Sequence, residues 1–291
     1  MKAIACELPR EQGVPLSRFS RAELHRLVIE RGVTDASAAT IARWLREDAL
    51  KPWQHRSWIF PTDPAFLEKA GPVLDLYQGR WQGKLLHPGE FLICADEKPS
   101  IQARARIQGT LAPEPGSRGL RVEHTYERRG ALTYLAALDI GRRGGRRPRV
   151  SGRSELKGGI EPFDRLVWQV MTKEPYASAR RVFWIVDNGS SHRGQRSVER
   201  LEGRWPNLRL VHLPVHASWL NQIEIFFSIV QRKVLEPNDF EGLSVLARTL
   251  NEFEQHWNEV AEPFEWSFTR DDLAELMERL AAREPQLQQA A

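Results

Sequence analysis

Three carboxylates stand where an acidic site would be built. Asp96 follows the apolar run FLICA (91–95), and Asp187 follows RVFWIV (181–186). Short apolar runs of this kind predict buried strands, and in a parallel pair the side chains that follow them emerge at the carboxyl edge, the usual place for an α/β site. Glu224 lies one residue past Ile223, at the rim of a stripe formed by Leu220, Ile223, Phe227, Val230 and Val234, whose spacing predicts a helix. From that helix Glu224 can lean across the sheet edge towards the two aspartates. Converging carboxylates repel one another, and a divalent cation is the physical remedy; hard oxygen donors favour Mg²⁺ or Mn²⁺. Two such ions roughly 3.5–4 Å apart can activate a water and stabilise the leaving oxygen of an in-line phosphoryl displacement. Any one of these carboxylates alone reads equally well as a helix cap, an ion-pair partner or a solvated side chain. Their joint placement is what points to metal chemistry.

Several neighbours carry secondary readings. Lys98 can meet a phosphate beside Asp96 or pair with Glu97. Asn188 and Asn221 can orient water or backbone, or shape the turns they occupy. His192, five residues after Asp187, reads as a capping or packing histidine, with contact to the site as the alternative. Trp219 and most of the ten Trp read as core rather than base-stacking platforms.

The elements that must position these residues follow from periodicity. RVEHTYER (121–128) and ALTYLAALDI (131–140) predict two strands with Gly130 at the turn between them. EPFDRLVWQVMTKE (161–174) has helical spacing, 193–204 predicts a short helix and LRLVHL (208–213) a strand. Helices over 241–258 and 268–283 close the chain. The order is three strands, helix, strand, helix, strand, helix, which predicts an α/β fold: a mixed five-stranded sheet flanked by helices. Ahead of it, Ser20 and Glu23 have capping-box spacing, and Leu24, Leu27 and Val28 form one apolar face. Gly32 supplies a turn, and Ser37 caps a second helix with Ile41, Trp44 and Leu45 inward. Thr40, Arg43 and Arg46 then point outward, where a recognition helix meets a major groove; an ordinary helical hairpin has the same pattern. Prolines 52, 61, 64, 72 and 88, interleaved with aromatics, read as an ordered linker with one helix near 64–78. The predicted division is a helix-turn-helix segment (1–50), a linker (51–88) and a catalytic domain (89–285).

The wording around the carboxylates is more specific than the carboxylates. ADEKPSIQAR (95–104), WIVDNGSSHRG (184–194) and HLPVHASWLNQIEIFFSIVQRKVL (212–235) resemble the signature blocks of mariner-like DDE transposases, in particular their bacterial insertion-sequence branch. PNDF (237–240) and PFEWSF (263–268) resemble its C-terminal blocks, so the resemblance spans about 90–285. It implies a ribonuclease H-like fold and a metal-binding triad carried onto Asp96, Asp187 and Glu224, with 36 residues between the last two. It also implies two Mg²⁺ or Mn²⁺ ions, cut-and-paste strand cleavage and strand transfer on double-stranded DNA, a preference for TA targets and a homodimer pairing two element ends. Members of that family commonly carry two helix-turn-helix units, whereas one fits ahead of residue 50, which implies either a shortened N-terminus or an unusual recognition of element ends. A nuclease that cuts without joining, or a catalytically silent DNA-binding repressor, would carry much of the same sequence; the intact triad argues against the latter.

Composition bounds the rest. Of 291 residues, 41% are hydrophobic and 27% charged, which argues against disorder of the whole chain. No stretch approaches the ~18 apolar residues of a membrane span and no signal-peptide layout is present, so no membrane association and a cytoplasmic, nucleoid-acting protein are expected. Two cysteines, Cys6 and Cys94, exclude a disulfide scaffold and a Cys-rich zinc site. Net charge is only +4, yet of 42 Lys+Arg just eight are Lys, leaving 34 Arg, the cation suited to bidentate phosphate contact. Six of them fall in GRRGGRRPRVSGR (141–153). As a mobile basic loop, that tract would clamp DNA phosphates through Arg142, Arg143, Arg146 and Arg147; as a plain connection, it would only be solvated.

Overall fold

A computed structural model describes residues 1–54, 61, 63–116, 119–141 and 145–282. The chain divides into two compact units, Met1–Phe60 and Pro61–Ala291.

The first unit contains α1 (Lys2–Ala5), a 3₁₀ turn (Pro9–Gln12), α2 (Arg21–Glu30) and α3 (Ala38–Glu47). The Ser20–Glu23 capping box forms in both directions, and Ser37 Oγ accepts from the Thr40 amide. Ala5, Phe19, Leu24, Val28, Ile41 and Leu45 make a small core of their own. Arg43 and Arg46 are exposed, as the apolar spacing requires. Thr40 is half-buried, with its hydroxyl 3.1 Å from that of Ser37, so it serves the cap.

The second unit opens with α4 (Phe66–Tyr77), β1 (Arg80–Trp81) and β2 (Lys84–Leu85). Then come β3 (Glu90–Arg106), β4 (Tyr126–Asp139), β5 (Arg149–Glu155), α5 (Ile160–Met171), β6 (Arg181–Val186), α6 (Gly194–Arg204) and β7 (Leu208–His212). A 3₁₀ turn (Ser218–Leu220), α7 (Ile223–Lys233), α8 (Leu243–Val260) and α9 (Arg270–Ala281) complete it. The expected linker is therefore largely domain. Phe66, Ala70, Val73, Leu74 and Leu76 of α4 are buried in the core of this unit, and Arg270 on α9 binds the Asp75 carboxylate at 2.9 and 2.6 Å. The helix expected near 64–78 is α4, which holds Pro72 inside it.

The main sheet has the order β5-β4-β3-β6-β7, with β3–β4 and β4–β5 antiparallel and β3–β6 and β6–β7 parallel. Three antiparallel strands leading into parallel crossovers, with helices on both faces, make the ribonuclease H-like α/β arrangement. The strand count matches the expectation, but the strands differ. β3 does not end at Asp96; it runs on to Arg106, shifting register between Lys98 and Ile101, where Pro99 can donate no ladder bond. The strands expected at 121–128 and 131–140 merge into one that begins only at Tyr126, with Gly130 inside it at φ +99 beside an irregularity in the ladder. β5 was hidden in the Arg-rich tract: a charged edge strand lacks the apolar alternation that betrays an inner one.

Alternation along the strands builds two cores. Phe91, Ile93 and Ala95 of β3 face α5 and α6, together with Val182, Trp184 and Val186 of β6. Leu92, Cys94, Phe183 and Ile185 face α4, α7 and α8. The β6 run is apolar on both faces because it is covered on both.

Candidate active site

Register and alternation together bring the carboxylates to one place. β3 and β6 pair in parallel from Glu90 with Arg181 to Cys94 with Ile185, and the same register continued two residues sets Asp96 beside Asp187. The two-residue period assigns Asp96 to the face of Leu92 and Cys94, and Asp187 to that of Phe183 and Ile185. That face is the one α7 covers. Glu224, in the first turn of α7, sits over it.

The approach of α7 is fixed by backbone tethers. Asn221, buried, donates from Nδ2 to the Ala95 carbonyl at 3.1 Å, tying the start of α7 to the residue before Asp96. Tyr77 on α4 donates to the Leu220 carbonyl at 2.7 Å. Asn188 donates to the Leu213 carbonyl at 2.7 Å and so closes the loop after β6 onto the chain leaving β7. Both asparagines thus act on backbone, one of the two roles their positions suggested. Trp219 packs against Phe268 with ring centroids 5.5 Å apart, partly buried against the core.

Each carboxylate has its own electrostatics. Asp96 is 8% exposed, and burial first, then the Asp187 charge, push its pKa up to about 7; the bond from the Glu97 amide to Oδ1, 2.7 Å, and the more distant Glu224 charge act in opposite senses. Asp187 is half-buried. Burial opposes its charge, but the bonds to Oδ1 from His192 Nε2 (2.5 Å) and the Gly189 amide (2.7 Å) outweigh it and hold the carboxyl below its ordinary range. Glu224 is raised by burial and by Asp187, against the opposing charge of Lys98. The charge of Lys98 thus acts on Glu224, and among the described residues Lys98 makes no ion pair with Glu97.

His192 does more than pack. It is 1% exposed, lies against the Phe163 ring at 4.7 Å, and bridges Asp187 to Ser191, whose hydroxyl meets Nδ1 at 2.9 Å. Nε2 is the donor to the Asp187 carboxylate, which can only accept when ionised. The His192 carbonyl is itself held by His212 Nε2 at 2.7 Å and Ser197 Oγ at 2.5 Å. Sequence reasoning did not single out Gly189 or Ser191. A Cβ on Gly189 would stand 2.9 Å from Asp187 Oδ1 and 3.1 Å from His192 Nε2, so only glycine lets this pair close. The signal was present as a Gly between an acid and a histidine, but nothing in one sequence distinguishes it from any turn glycine.

Among the described residues, no three His, Cys, Asp or Glu side chains are gathered tightly enough to enclose an ion unaided. The donor set nonetheless fits a hard cation. Asp96 Oδ2, Asp187 Oδ2 and both Glu224 oxygens have no protein donor among the described residues, while each aspartate's Oδ1 is fixed by the chain. Like charges at this range hold one another apart until a cation offsets them.

The PNDF block is also explained by geometry. Asn238 accepts from the Arg104 amide and donates to the Gln102 carbonyl, and Asp239 accepts from the Arg106 amide, so the block substitutes for ladder bonds along the irregular end of β3. In the basic tract, Arg142 and Arg143 lie outside the described residues. Arg146 is turned inward: it stacks on Phe91 at 3.8 Å and donates to the Pro88 and Glu90 carbonyls. Arg147 is exposed and donates to the Glu259 carbonyl. Arg146 therefore braces the start of β3, which a mobile phosphate clamp could not do.

No curated protein matches the sequence. Solved structures similar to this chain include the Mos1 mariner paired-end complex with Mn, at 15% identity and TM-score 0.49, covering 92% of this chain and 78% of that one. The Mos1 paired-end complex with Mg aligns at 15% identity and TM-score 0.48, over 92% and 79%. The Mos1 strand transfer complex aligns at 16% and 0.47, over 92% and 77%. The family described as DDE superfamily endonuclease matches residues 92–246, a span that holds Asp96, Asp187 and Glu224 and more than half of the chain. This chain belongs to the DDE superfamily endonucleases.

Proposed function

We propose that this endonuclease is a DNA transposase of the bacterial insertion-sequence type, cutting strands at element ends and joining them to target DNA. The observation that carries the reading is the convergence of Asp96, Asp187 and Glu224 on one sheet face, close enough for Asp187 to act on both other carboxyls. Asp96 and Asp187 would hold divalent cations, Mg²⁺ or Mn²⁺ and two in number, with Glu224 completing the second position. Such ions supply a nucleophile at neutral pH and offset the charge that develops on the transferred phosphoryl group. The chain contributes orientation. His192 and Gly189 turn one Asp187 oxygen inward and leave the other free, and Asn221 sets the height of Glu224 above β3. Water is excluded on the inner side by Cys94, Ile185 and Ile223.

In this reading the first unit recognises double-stranded element ends through α3, where Arg43 and Arg46 are exposed and Thr40 lends its hydroxyl to the cap. Arg147, exposed but held by the Glu259 carbonyl and paired with Glu262, would have to give up those partners to meet a phosphate, and Arg142 and Arg143 belong to the same tract. A homodimer pairing two ends, TA targets and action on the nucleoid follow from the family resemblance. The test is Mg²⁺-dependent nicking of labelled DNA by Asp96→Asn, Asp187→Asn and Glu224→Gln beside a gel shift on the same preparations. Cleavage should fall by several orders of magnitude with DNA binding kept, and double variants should be little worse than single ones because the three act as a unit. Undiminished cleavage in Glu224→Gln sinks the reading, and a strand-transfer assay separates a transposase from a nuclease that only cuts.

A further inference from the structure

A groove of about 200 Å³ runs away from Glu224 along α7, walled by Lys98, Phe227, Ser228, Gln231, Arg232 and Glu236. Glu224, Ser228 and Arg232 recur every four residues and so share one helix face, while Phe226, Phe227 and Val230 are buried in the core. Ser228 and Arg232 are exposed. Lys98 lies two residues beyond Asp96, hence on the same side of β3, and its charge reaches Glu224. Among the described residues neither Lys98 nor Arg232 makes an ion pair, and both line this groove. Two cations outside any ion pair among the described residues, with a hydroxyl, on a groove that starts at a catalytic carboxylate, make a track for a polyanion.

The spacing along α7 suits a nucleic acid backbone. Four residues of helix advance about 6 Å, close to the separation of successive phosphates along one nucleic acid strand. We propose that this groove seats the backbone of the cut DNA strand beside the scissile phosphate: Lys98 holds the nearest phosphate, Ser228 the next, and Arg232 the one beyond. The proposal rests on the reading that the Asp96–Asp187–Glu224 site cuts DNA, and it adds the path of the strand. Gln231 and Glu236, bonded to each other at 2.8 Å, close the far wall and leave Arg232 as the cation at the exit.

The alternative for Arg232 is a cation that only complements the C-terminal end of α7. The test uses the full chain and a fluorescein-labelled duplex of random sequence with a single-stranded 3′ overhang, followed by anisotropy over about 50–200 mM salt. For Arg232→Ala the log–log salt slope should become shallower by roughly 0.7–0.9, one phosphate's worth of counterions. Arg232→Lys should restore it. Arg248→Ala, on the exposed face of α8, should leave the slope where it was. The same preparations are assayed for Mg²⁺-dependent nicking and for melting temperature. A lowered slope with an unchanged melting temperature supports the track. An unchanged slope in both Arg232→Ala and the Lys98→Ala/Arg232→Ala double variant overturns it, with or without a loss of stability. If Glu224→Gln still cuts, the catalytic reading fails by itself; if Glu224→Gln is dead while the slopes do not move, only the strand path fails.

Discussion

The most demanding geometry in the molecule is the Gly189–Asp187–His192 contact, where three small distances decide how a carboxylate is presented. Asp187 offers Oδ1 to His192 and to the Gly189 amide and keeps Oδ2 for the site. A methyl group at Gly189 would meet both partners inside ordinary contact distance. Gly189→Ala should therefore turn Asp187 and weaken Mn²⁺ binding by about 10–100-fold, the usual cost of disturbing the groups behind a metal ligand. Calorimetric titration with Mn²⁺ alone reads this directly, and circular dichroism confirms that the sheet persists. Affinity equal to that of the unsubstituted protein would remove Gly189 from the positioning of Asp187.

At the scale of elements, two packings each make a separate prediction. Asn221 joins α7 to β3 through the Ala95 carbonyl, and its buried amide has no other route to satisfaction than this strand and its own turn. Asn221→Ala should cost about 1–3 kcal/mol of stability, measured by urea denaturation. It should also lower cleavage by up to about 100-fold, because Glu224 loses its fixed height over Asp96. Loss of stability without loss of cleavage would make the tether structural only. The second packing is α8 against β5, where Glu254 accepts from the Gly152 amide at 2.9 Å and from Tyr134 at 3.2 Å. Burial pushes its pKa up to about 7 from an ordinary 4.5. The folded protein then favours the protonated acid. Its contribution is fully present below about pH 4.5 and is lost as pH rises through about 7. Glu254→Gln removes this dependence, so the variant should gain on the unsubstituted protein between pH 5 and 8 by up to about 3 kcal/mol. Denaturation midpoints that track each other across that range would show that Glu254 ionises freely.

At the scale of the whole molecule, the chain forms two units, each with a core of its own. The first buries Phe19, Leu24, Val28, Ile41 and Leu45 without help from the sheet, and the second carries every member of the acidic site. No helix among the described residues is long and apolar enough to cross a membrane. Residues 61–291 expressed alone should keep Mg²⁺-dependent nicking of random DNA and lose discrimination for element ends. In the full chain, Arg43→Ala should reduce that discrimination by about 1–3 kcal/mol in competition binding. Equal loss on end and random DNA would leave Arg43 a phosphate contact.

What the amino-acid sequence determined by itself is whatever depends on local pattern. The capping box at Ser20 and Glu23, the cap at Ser37, the helix around Phe163 and Val170, the apolar runs before Asp96 and Asp187, and the stripe that carries Glu224 are each written in one stretch of chain. Their periodicities survive folding because burial enforces them. Strand extent was not local. β3 continues past its charged residues, and β5 exists within an Arg-rich tract, because β4 pairs with both; hydrogen bonds supplied by a neighbour leave no trace in the strand's own composition. The placement of α4 in the catalytic unit depends likewise on contacts with α9, almost two hundred residues away. Arg146 shows the same limit at one residue: a cation in a glycine-rich run reads as solvent-facing, and only the Phe91 ring and two carbonyls from β3's start turn it inward. The tertiary structure alone decided that His192 grips Asp187, since the bond requires a glycine of the right clearance between them and a core to hold the ring.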